Sequence, residues 1–265
     1  MNELNVLKHI GARTEERVAR WKKERPVERL AAETLYARKP SSLARALSHP
    51  GPRVIAEVKF ASPSAGFLRE PGSASAKEAA RIASGYAKAG AAAISILTEP
   101  EYFSGDPEYL KAARAALPDA VLLMKDFFVD VYQLELARAC GADVILLIAA
   151  LLGDRLHEML FAARARGLST LVEVHDEAEA EAALHCAADV IGVNNRDLKT
   201  LHTDLAVSRR LAPLVTQAAA AVSESGLNTR EEIDSLREFG YKGFLIGGSF
   251  MKSPEPAAAL ASLLA

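Results

Sequence analysis

Cysteine is scarce in this chain: two occur among 265 residues. Two cysteines cannot form a disulfide framework, and Cys140 and Cys186 are not arranged as a C-x-x-C pair. We expect both to be reduced, partly buried thiols near the ends of predicted helices. The six histidines show neither H-x-x-x-H nor H-x-x-E-H spacing, which argues against a zinc site and predicts no metal centre.

Long apolar runs are also missing. The longest, at residues 144–152, is too short to span a membrane. The N-terminal stretch is charged and lacks the apolar core of a signal peptide. A formal net charge of -2 gives no indication of a nucleic-acid partner. We therefore expect a cytoplasmic protein without membrane partners, and a monomer, because no large extra apolar stripe is evident.

What the chain does contain suits one large α/β domain. Half of the residues are hydrophobic and a quarter are charged, as in soluble globular proteins. The length matches a (β/α)8 barrel, which takes roughly 250 residues. We predict a single domain over 1–265, with an N-terminal helical extension at 1–50 and a barrel at 53–265. The extension contains an apolar stripe, a second short helix and a turn capped by a serine: Leu4, Leu7, Ile10, Val18 and Trp21, then 28–38, then 43–47 after Ser42.

Eight short apolar runs follow the extension, each continued by an amphipathic helical pattern. They lie at 54–59, 92–98, 121–125, 144–148, 170–174, 190–194, 219–223 and 243–246. Alternating strands and helices imply a parallel sheet whose strands are buried on both faces. An open doubly wound sheet is the alternative. Even spacing, at roughly 20–30 residues per unit, favours the closed barrel.

Polar side chains stand at the ends of most predicted strands, which in this fold form the active-site face. They are Glu57 and Lys59 on strand 1, Lys125 and Asp126 on strand 3, Glu173 on strand 5, 194–196 on strand 6, and 223–226 and 247–249 after strands 7 and 8. A structural ion-pair network could explain one such pair, but acids and bases on five strands favour a converging catalytic site. The glycine and serine loops after strands 7 and 8 predict a phosphate site, because backbone N–H groups there can approach an anion closely.

Several segments, in order along the chain, carry a resemblance to a known family. They are EVK at 57–59 with SPS at 62–64, SILTE at 95–99 with YF at 102–103, LMKDF at 123–127, LVEV at 171–174, IGVN at 191–194 with RDL at 196–198, SESG at 223–226 and FLIG at 244–247. Any one motif would be weak evidence. The ordered set, together with the helical extension, resembles indole-3-glycerol-phosphate synthase over essentially the whole chain.

The resemblance implies a ring closure in tryptophan biosynthesis that uses no metal and no organic cofactor. Its substrate would be 1-(2-carboxyphenylamino)-1-deoxyribulose 5-phosphate, and carbon dioxide and water would be lost. By the same resemblance Lys125 is the general acid, Glu173 the general base and Lys59 a second acid. Further residues are implied as a carboxylate that orients the lysines (Glu57), a polar wall (Asn194, Arg196, Glu224 and Ser225), phosphate ligands (Lys59, Ser62, Gly226, Gly247 and Gly248) and an apolar ring pocket (Phe103, Phe127, Leu146, Leu201 and Ile246).

Two positions depart from the family's pattern, and three different functions stay open. Phe60 stands where a basic residue is common, and Gly248 where some relatives have serine.

A phosphoribosylanthranilate isomerase would need an Asp/Cys pair at strand ends, whereas both cysteines lie in predicted helices. The second and third functions are Schiff-base chemistry at Lys125 and non-catalytic binding of a phosphosugar. Residues 60–72 are predicted to form a mobile loop that closes over substrate.

Overall fold

A closed parallel barrel organises the chain. The computed structural model describes residues 6–197, 200–218 and 220–265. Within these ranges eight strands pair in chain order, and the last pairs with the first. They are β1 (Arg53–Val58), β2 (Ala93–Leu97), β3 (Leu122–Lys125), β4 (Val144–Ile148), β5 (Ser169–Val174), β6 (Val190–Asn194), β7 (Ala220–Glu224) and β8 (Gly243–Ile246). The predicted (β/α)8 fold is confirmed. Leu4, Leu198 and Ala219, which the predictions included, lie outside the described residues.

Helices precede the barrel and alternate with its strands. Their bounds are α1 (Val6–Glu24), α2 (Val27–Ala31), α3 (Leu43–Leu47), α4 (Ala76–Lys88), α5 (Pro100–Phe103), α6 (Pro107–Ala116), α7 (Tyr132–Ala139), α8 (Ala149–Leu152), α9 (Leu156–Ala165), α10 (Glu177–His185), α11 (Ala206–Ala218), α12 (Arg230–Glu238), α13 (Gly248–Lys252) and α14 (Pro256–Leu264). Across the described part of the chain, none of them has the length and apolar character needed to cross a membrane.

The helix predicted over 28–38 is shorter than expected. It ends at Ala31, and a separate 3-10 turn occupies Thr34–Ala37 after an extended backbone at Glu33. Tertiary contacts explain the break, because the Tyr36 hydroxyl donates to the Glu135 carboxylate at 2.5 Å. Local helix propensity does not contain this information.

The N-terminal end of the barrel is closed by α3. Ser42 caps this helix as predicted, since its side chain accepts a hydrogen bond from the Arg45 backbone N–H. Leu43 and Leu47 are fully buried and pack with inward-facing strand residues such as Ile55 and Val222. Any cavity in the barrel therefore opens at the opposite end, where the strands have their carboxyl termini.

The first helix, α1, is fixed to that open end by a buried arginine. Arg17 is 2% exposed, and its guanidinium lies 2.9 Å from the Glu99 carboxylate after β2 and 2.7 Å from the Asp126 carboxylate after β3. The guanidinium also lies over the Trp21 ring, 5.1 Å from its centroid. The extension is thus tied by charge to the residue that follows Lys125.

Candidate active site

A cavity of about 550 Å³ opens at the carboxyl ends of the strands. Its walls include nearly all of the residues predicted for the site: Glu57, Lys59, Ser62, Phe103, Lys125, Phe127, Leu146, Glu173, Asn194, Arg196, Leu201, Ser225, Gly226, Ile246, Gly247 and Gly248. Among the residues to which the resemblance assigns a role, Glu224 is the one that lies outside this wall. Strand ends that are distant in sequence therefore converge on one space, as the fold requires.

Lys125 stands at the centre of a cluster of carboxylates. Its Nζ lies 3.0 Å from Oε2 of Glu224 and 3.4 Å from Oε2 of Glu57. Burial alone would lower the pKa of Lys125, but the charges of Glu224, Glu57 and Glu173 outweigh burial and raise it. At neutral pH the side chain is therefore an ammonium ion that can donate a proton.

Glu57 joins the two lysines of the site. Its Oε1 lies 2.7 Å from Nζ of Lys59, and its Oε2 faces Lys125. Burial would raise the pKa of Glu57, yet the two ammonium groups lower it. A glycine makes room for this carboxylate, because a Cβ at Gly247 would lie 2.6 Å from Oε1 of Glu57. The position after β8 thus has a steric reason to be glycine as well as its predicted role at the phosphate.

Glu224 was predicted to form part of the substrate wall, but its side chain lies behind Lys125. It is 1% exposed and packs against β6, where a Cβ at Gly192 would fall 2.0 Å from its Oε1. Burial, together with the charges of Glu173 and Glu57, raises the pKa of Glu224 to about 7 against the opposing effect of Lys125. Its contact is with the lysine, so the structure makes Glu224 a partner of Lys125 rather than a lining residue.

Glu173 faces the cavity from β5 and is held by two polar neighbours. Oε1 lies 3.3 Å from Nε2 of His175, and the side chain also accepts a hydrogen bond from Asn194. Burial would raise the pKa of Glu173, but these contacts and the charge of Lys125 lower it to about 2. The carboxylate is therefore ionised and available to accept a proton. His175 was not among the predicted residues, although it lies two residues after Glu173, just beyond the end of β5, and that spacing was a usable signal.

The end of the cavity formed by the turns after β7 and β8 is rich in backbone donors and small residues. Ser225 and Gly226 both have positive φ, 66° and 79°, so the chain turns sharply after β7. No atom lies within 4 Å of a Cβ built at Gly248, which leaves the start of α13 open to the cavity. The side chains of Lys59 and Lys252 line the same space. This end therefore offers N–H groups and positive charge to an anion.

Apolar side chains line the remaining wall. The rings of Phe103 and Phe127 lie 6.1 Å apart, and Leu146, Leu201 and Ile246 complete the predicted set. Leu7 and Ile10 of α1 also reach the cavity. These last two side chains were predicted only as part of an apolar packing stripe, since their approach depends on where α1 docks.

The two positions that depart from the family's pattern, Phe60 and Gly248, lie in different environments. Phe60 is 3% exposed and packs edge-on against Tyr109, with ring centroids 5.6 Å apart, so it points into the helix-facing core. Gly248, in contrast, borders the cavity directly. Just beyond Phe60, residues 61–62 and 66–67 form a short antiparallel hairpin whose Phe67 is exposed.

Comparison with known proteins agrees with this geometry. The family model described as "Indole-3-glycerol phosphate synthase" matches residues 7–263. The chain belongs to the indole-3-glycerol phosphate synthase family. The indole-3-glycerol phosphate synthase of Carboxydothermus hydrogenoformans is 45% identical over 243 residues, covering 89% of this chain and 90% of that protein. The synthase of Rhodospirillum rubrum is 42% identical over 266 residues, covering 98% and 99%.

Solved structures that resemble the chain share its fold at low identity. One described as "Crystal structure of KGPDC from Streptococcus mutans" has a TM-score of 0.60 at 13% identity and covers 80% of this chain and 95% of its own. Another, "Native KDPGal structure", has a TM-score of 0.58 at 16% identity and covers 82% and 92%. At these identities the likeness supports the barrel architecture of this chain and nothing about a substrate.

Proposed function

We propose that this protein catalyses the ring closure of 1-(2-carboxyphenylamino)-1-deoxyribulose 5-phosphate to indole-3-glycerol phosphate, with loss of carbon dioxide and water. One observation carries the proposal. In a chain that matches this family over residues 7–263, an ammonium group on Lys125 and a carboxylate on Glu173 face one cavity. The cavity has an anion-binding end and an apolar wall, which suits a substrate with a phosphate and an aromatic ring.

Lys125 begins the proposed chemistry as a general acid. The ring carbon that bears the carboxylate attacks the substrate carbonyl, and the carbonyl oxygen takes up a proton from the Lys125 ammonium group. Loss of carbon dioxide then restores the aromatic ring. Three buried carboxylates keep Lys125 protonated in the resting enzyme, so the acid is ready before substrate binds. Such positioned acid–base catalysis contributes roughly 10²–10⁴-fold.

Dehydration completes the proposed reaction. The hydroxyl group formed from the carbonyl leaves as water with a proton from Lys59, and Glu173 removes the proton from the neighbouring ring carbon. Two protons are delivered and one is removed, which balances the conversion of a carboxylate to carbon dioxide and water. Asn194 hydrogen-bonds to Glu173 and orients it toward the substrate. Glu57, held between the two lysines, positions both acids.

The binding assignments follow the two ends of the cavity. We assign the phosphate to the backbone N–H groups at Gly226, Gly247 and Gly248, with Ser62 and Lys59 beside them. The aromatic ring belongs against the apolar wall. Ser225 and Arg196 complete the polar lining between these ends. The monomeric state, the cytoplasmic location and the closing loop at 60–72 stay predictions.

Fluorescence of the indole product tests the proposed function. The purified protein is mixed with the carboxyphenylamino substrate, and we expect indole emission to rise. Lys125→Ala should abolish the rise, whereas Lys242→Met, an exposed lysine at the closed end of the barrel, should retain it. Absence of product with the parent protein would contradict the proposal. A borohydride-stable substrate adduct on Lys125 would replace acid catalysis with Schiff-base chemistry.

A further inference from the structure

A row of three side chains runs outward from the catalytic cavity behind β5. His175 stands between two carboxylates: its Nε2 lies 3.3 Å from Oε1 of Glu173, and its Nδ1 lies 3.0 Å from Oε2 of Glu179. All three are largely buried, with side-chain exposures of 5% for Glu173, 15% for His175 and 20% for Glu179. Glu173 faces the catalytic cavity, while His175 and Glu179 line a second cavity of about 590 Å³.

Glu179 fixes the orientation of the imidazole. Its Oε2 accepts hydrogen bonds both from the His175 backbone N–H at 2.9 Å and from the ring Nδ1. The position of Glu179 is itself set by α10, where its backbone N–H donates to the capping side chain of Asp176. The ring is thus held at one edge by Glu179, and Nε2 at the other edge lies 3.3 Å from Oε1 of Glu173.

We propose that His175 is a positioning residue that holds the general base Glu173 ionised and oriented through a Glu179–His175–Glu173 chain. The inference rests on the proposed function, because it assigns a role relative to the base of that reaction. Two carboxylates within 3.3 Å of one imidazole favour a positively charged ring, since a neutral ring would turn the lone pair of one nitrogen toward a carboxylate oxygen. A protonated His175 carries an N–H on both nitrogens, of which Nδ1 hydrogen-bonds to Glu179 and Nε2 forms an ion pair with Glu173 at 3.3 Å.

The surrounding charges allow this arrangement. Lys125 adds positive charge on the catalytic side of Glu173. Around the second cavity, Lys8 faces from α1, Asp176 from the start of α10, Arg196, Asp197, His202 and Asp204 from the segment after β6, and Arg210 from α11. Burial opposes a charged imidazole, but the contacts of its ring with the Glu173 and Glu179 carboxylates raise the pKa of His175 to about 10. The two contacting carboxylates therefore outweigh the effect of burial on the imidazole.

The pH profile of kcat/KM separates positioning from mere structural support. His175→Asn removes the charge. We expect the acid limb of the profile, where kcat/KM falls as Glu173 is protonated, to move upward by about 1–3 pH units. The reason is that an adjacent opposite charge lowers a carboxyl pKa by that amount. KM should change little. Glu179→Gln should move the limb in the same direction by less. The double variant should match His175→Asn alone, because Glu179 acts through the imidazole.

Two exposed residues on α10 provide matched controls. His185→Asn and Glu181→Gln change the same residue types on the same helix and should leave the acid limb where it is in the parent protein. An acid limb that is unchanged in His175→Asn, or additive shifts in the double variant, would overturn the proposal.

A direct titration tests the inference without relying on turnover. Histidine ring signals are followed by NMR in the full-length protein, with the His175 signal assigned by its loss in His175→Asn or by its shift in Glu179→Gln. We expect an imidazolium signal that persists well above about pH 6.5, the ordinary pKa of histidine. Conversion to neutral imidazole near about pH 6.5 would refute the assignment. If the parent protein forms no indole product, the proposed function fails, and this titration still decides the state of His175.

Discussion

Replacing Arg17 with methionine tests how α1 is fixed to the catalytic face. Methionine keeps apolar bulk beside Trp21 but removes the charge that faces Glu99 and Asp126, both almost fully buried. Breaking a buried ion pair by removing one partner costs about 3–5 kcal/mol. Both carboxylates keep backbone N–H donors, so we expect the lower part of that range.

Thermal unfolding measures the effect. In a chain of this size each kcal/mol corresponds to about 2–4 °C in Tm, so a cost of about 3–4 kcal/mol predicts a fall of roughly 6–16 °C for Arg17→Met. Arg13→Met is the matched control on the same helix, because its ion pairs with Glu16 and Glu101 are exposed and screened by water. Adding Asp126→Asn to Arg17→Met should recover part of the loss. Equal Tm values for Arg17→Met and Arg13→Met would refute the reasoning.

Three further predictions concern the site, the thiols and the dependence of stability on pH. Gly247→Ala should lower kcat, measured by product fluorescence, because the new Cβ would displace the Glu57 carboxylate; an unchanged kcat would contradict this steric role. Ellman's reagent should modify Cys186 in the native protein, whereas burial raises the pKa of Cys140 to about 12 and should delay its reaction until unfolding; two fast thiols would be the contrary result. The pKa of His175 in the folded protein, about 10, lies above its ordinary value of 6.5, so the stability that it contributes is complete below pH 6.5 and is lost as pH rises through 10. The difference in free energy of unfolding between the parent protein and His175→Asn, measured in urea, should therefore decrease between pH 6.5 and pH 10. A difference that increases over this interval would contradict the predicted direction.

The barrel and most of the site could be predicted because periodicity and local chemistry agree. Apolar runs alternating with helical patterns predict parallel strands. Ionisable residues at the strand ends, such as Lys125 and Glu173, are costly to bury unless they are paired, which predicts that they lie together in one site. The resemblance to the family then assigned roles that spacing alone left open. These inferences depend on residue order along the chain, which a sequence contains directly.

The remaining features depend on how separate elements meet. Glu224 lies behind Lys125 because Gly192, on the neighbouring strand, leaves space for its carboxylate. Leu7 and Ile10 reach the cavity only because α1 docks on the open end of the barrel. His175 gains its importance from Glu179 on the following helix. Such contacts arise from side-chain directions and packing, which strand periodicity does not determine.

In the proposed reaction Glu173 performs acid–base chemistry rather than substrate binding. Glu173→Gln keeps the shape of the side chain but removes its ability to accept a proton, so single-turnover rates and the Kd of indole-3-glycerol phosphate separate the two roles. We predict a rate lowered by roughly 10²–10⁴-fold with an unchanged Kd. A rate close to that of the parent protein, or a loss explained wholly by weaker binding, would contradict the claim.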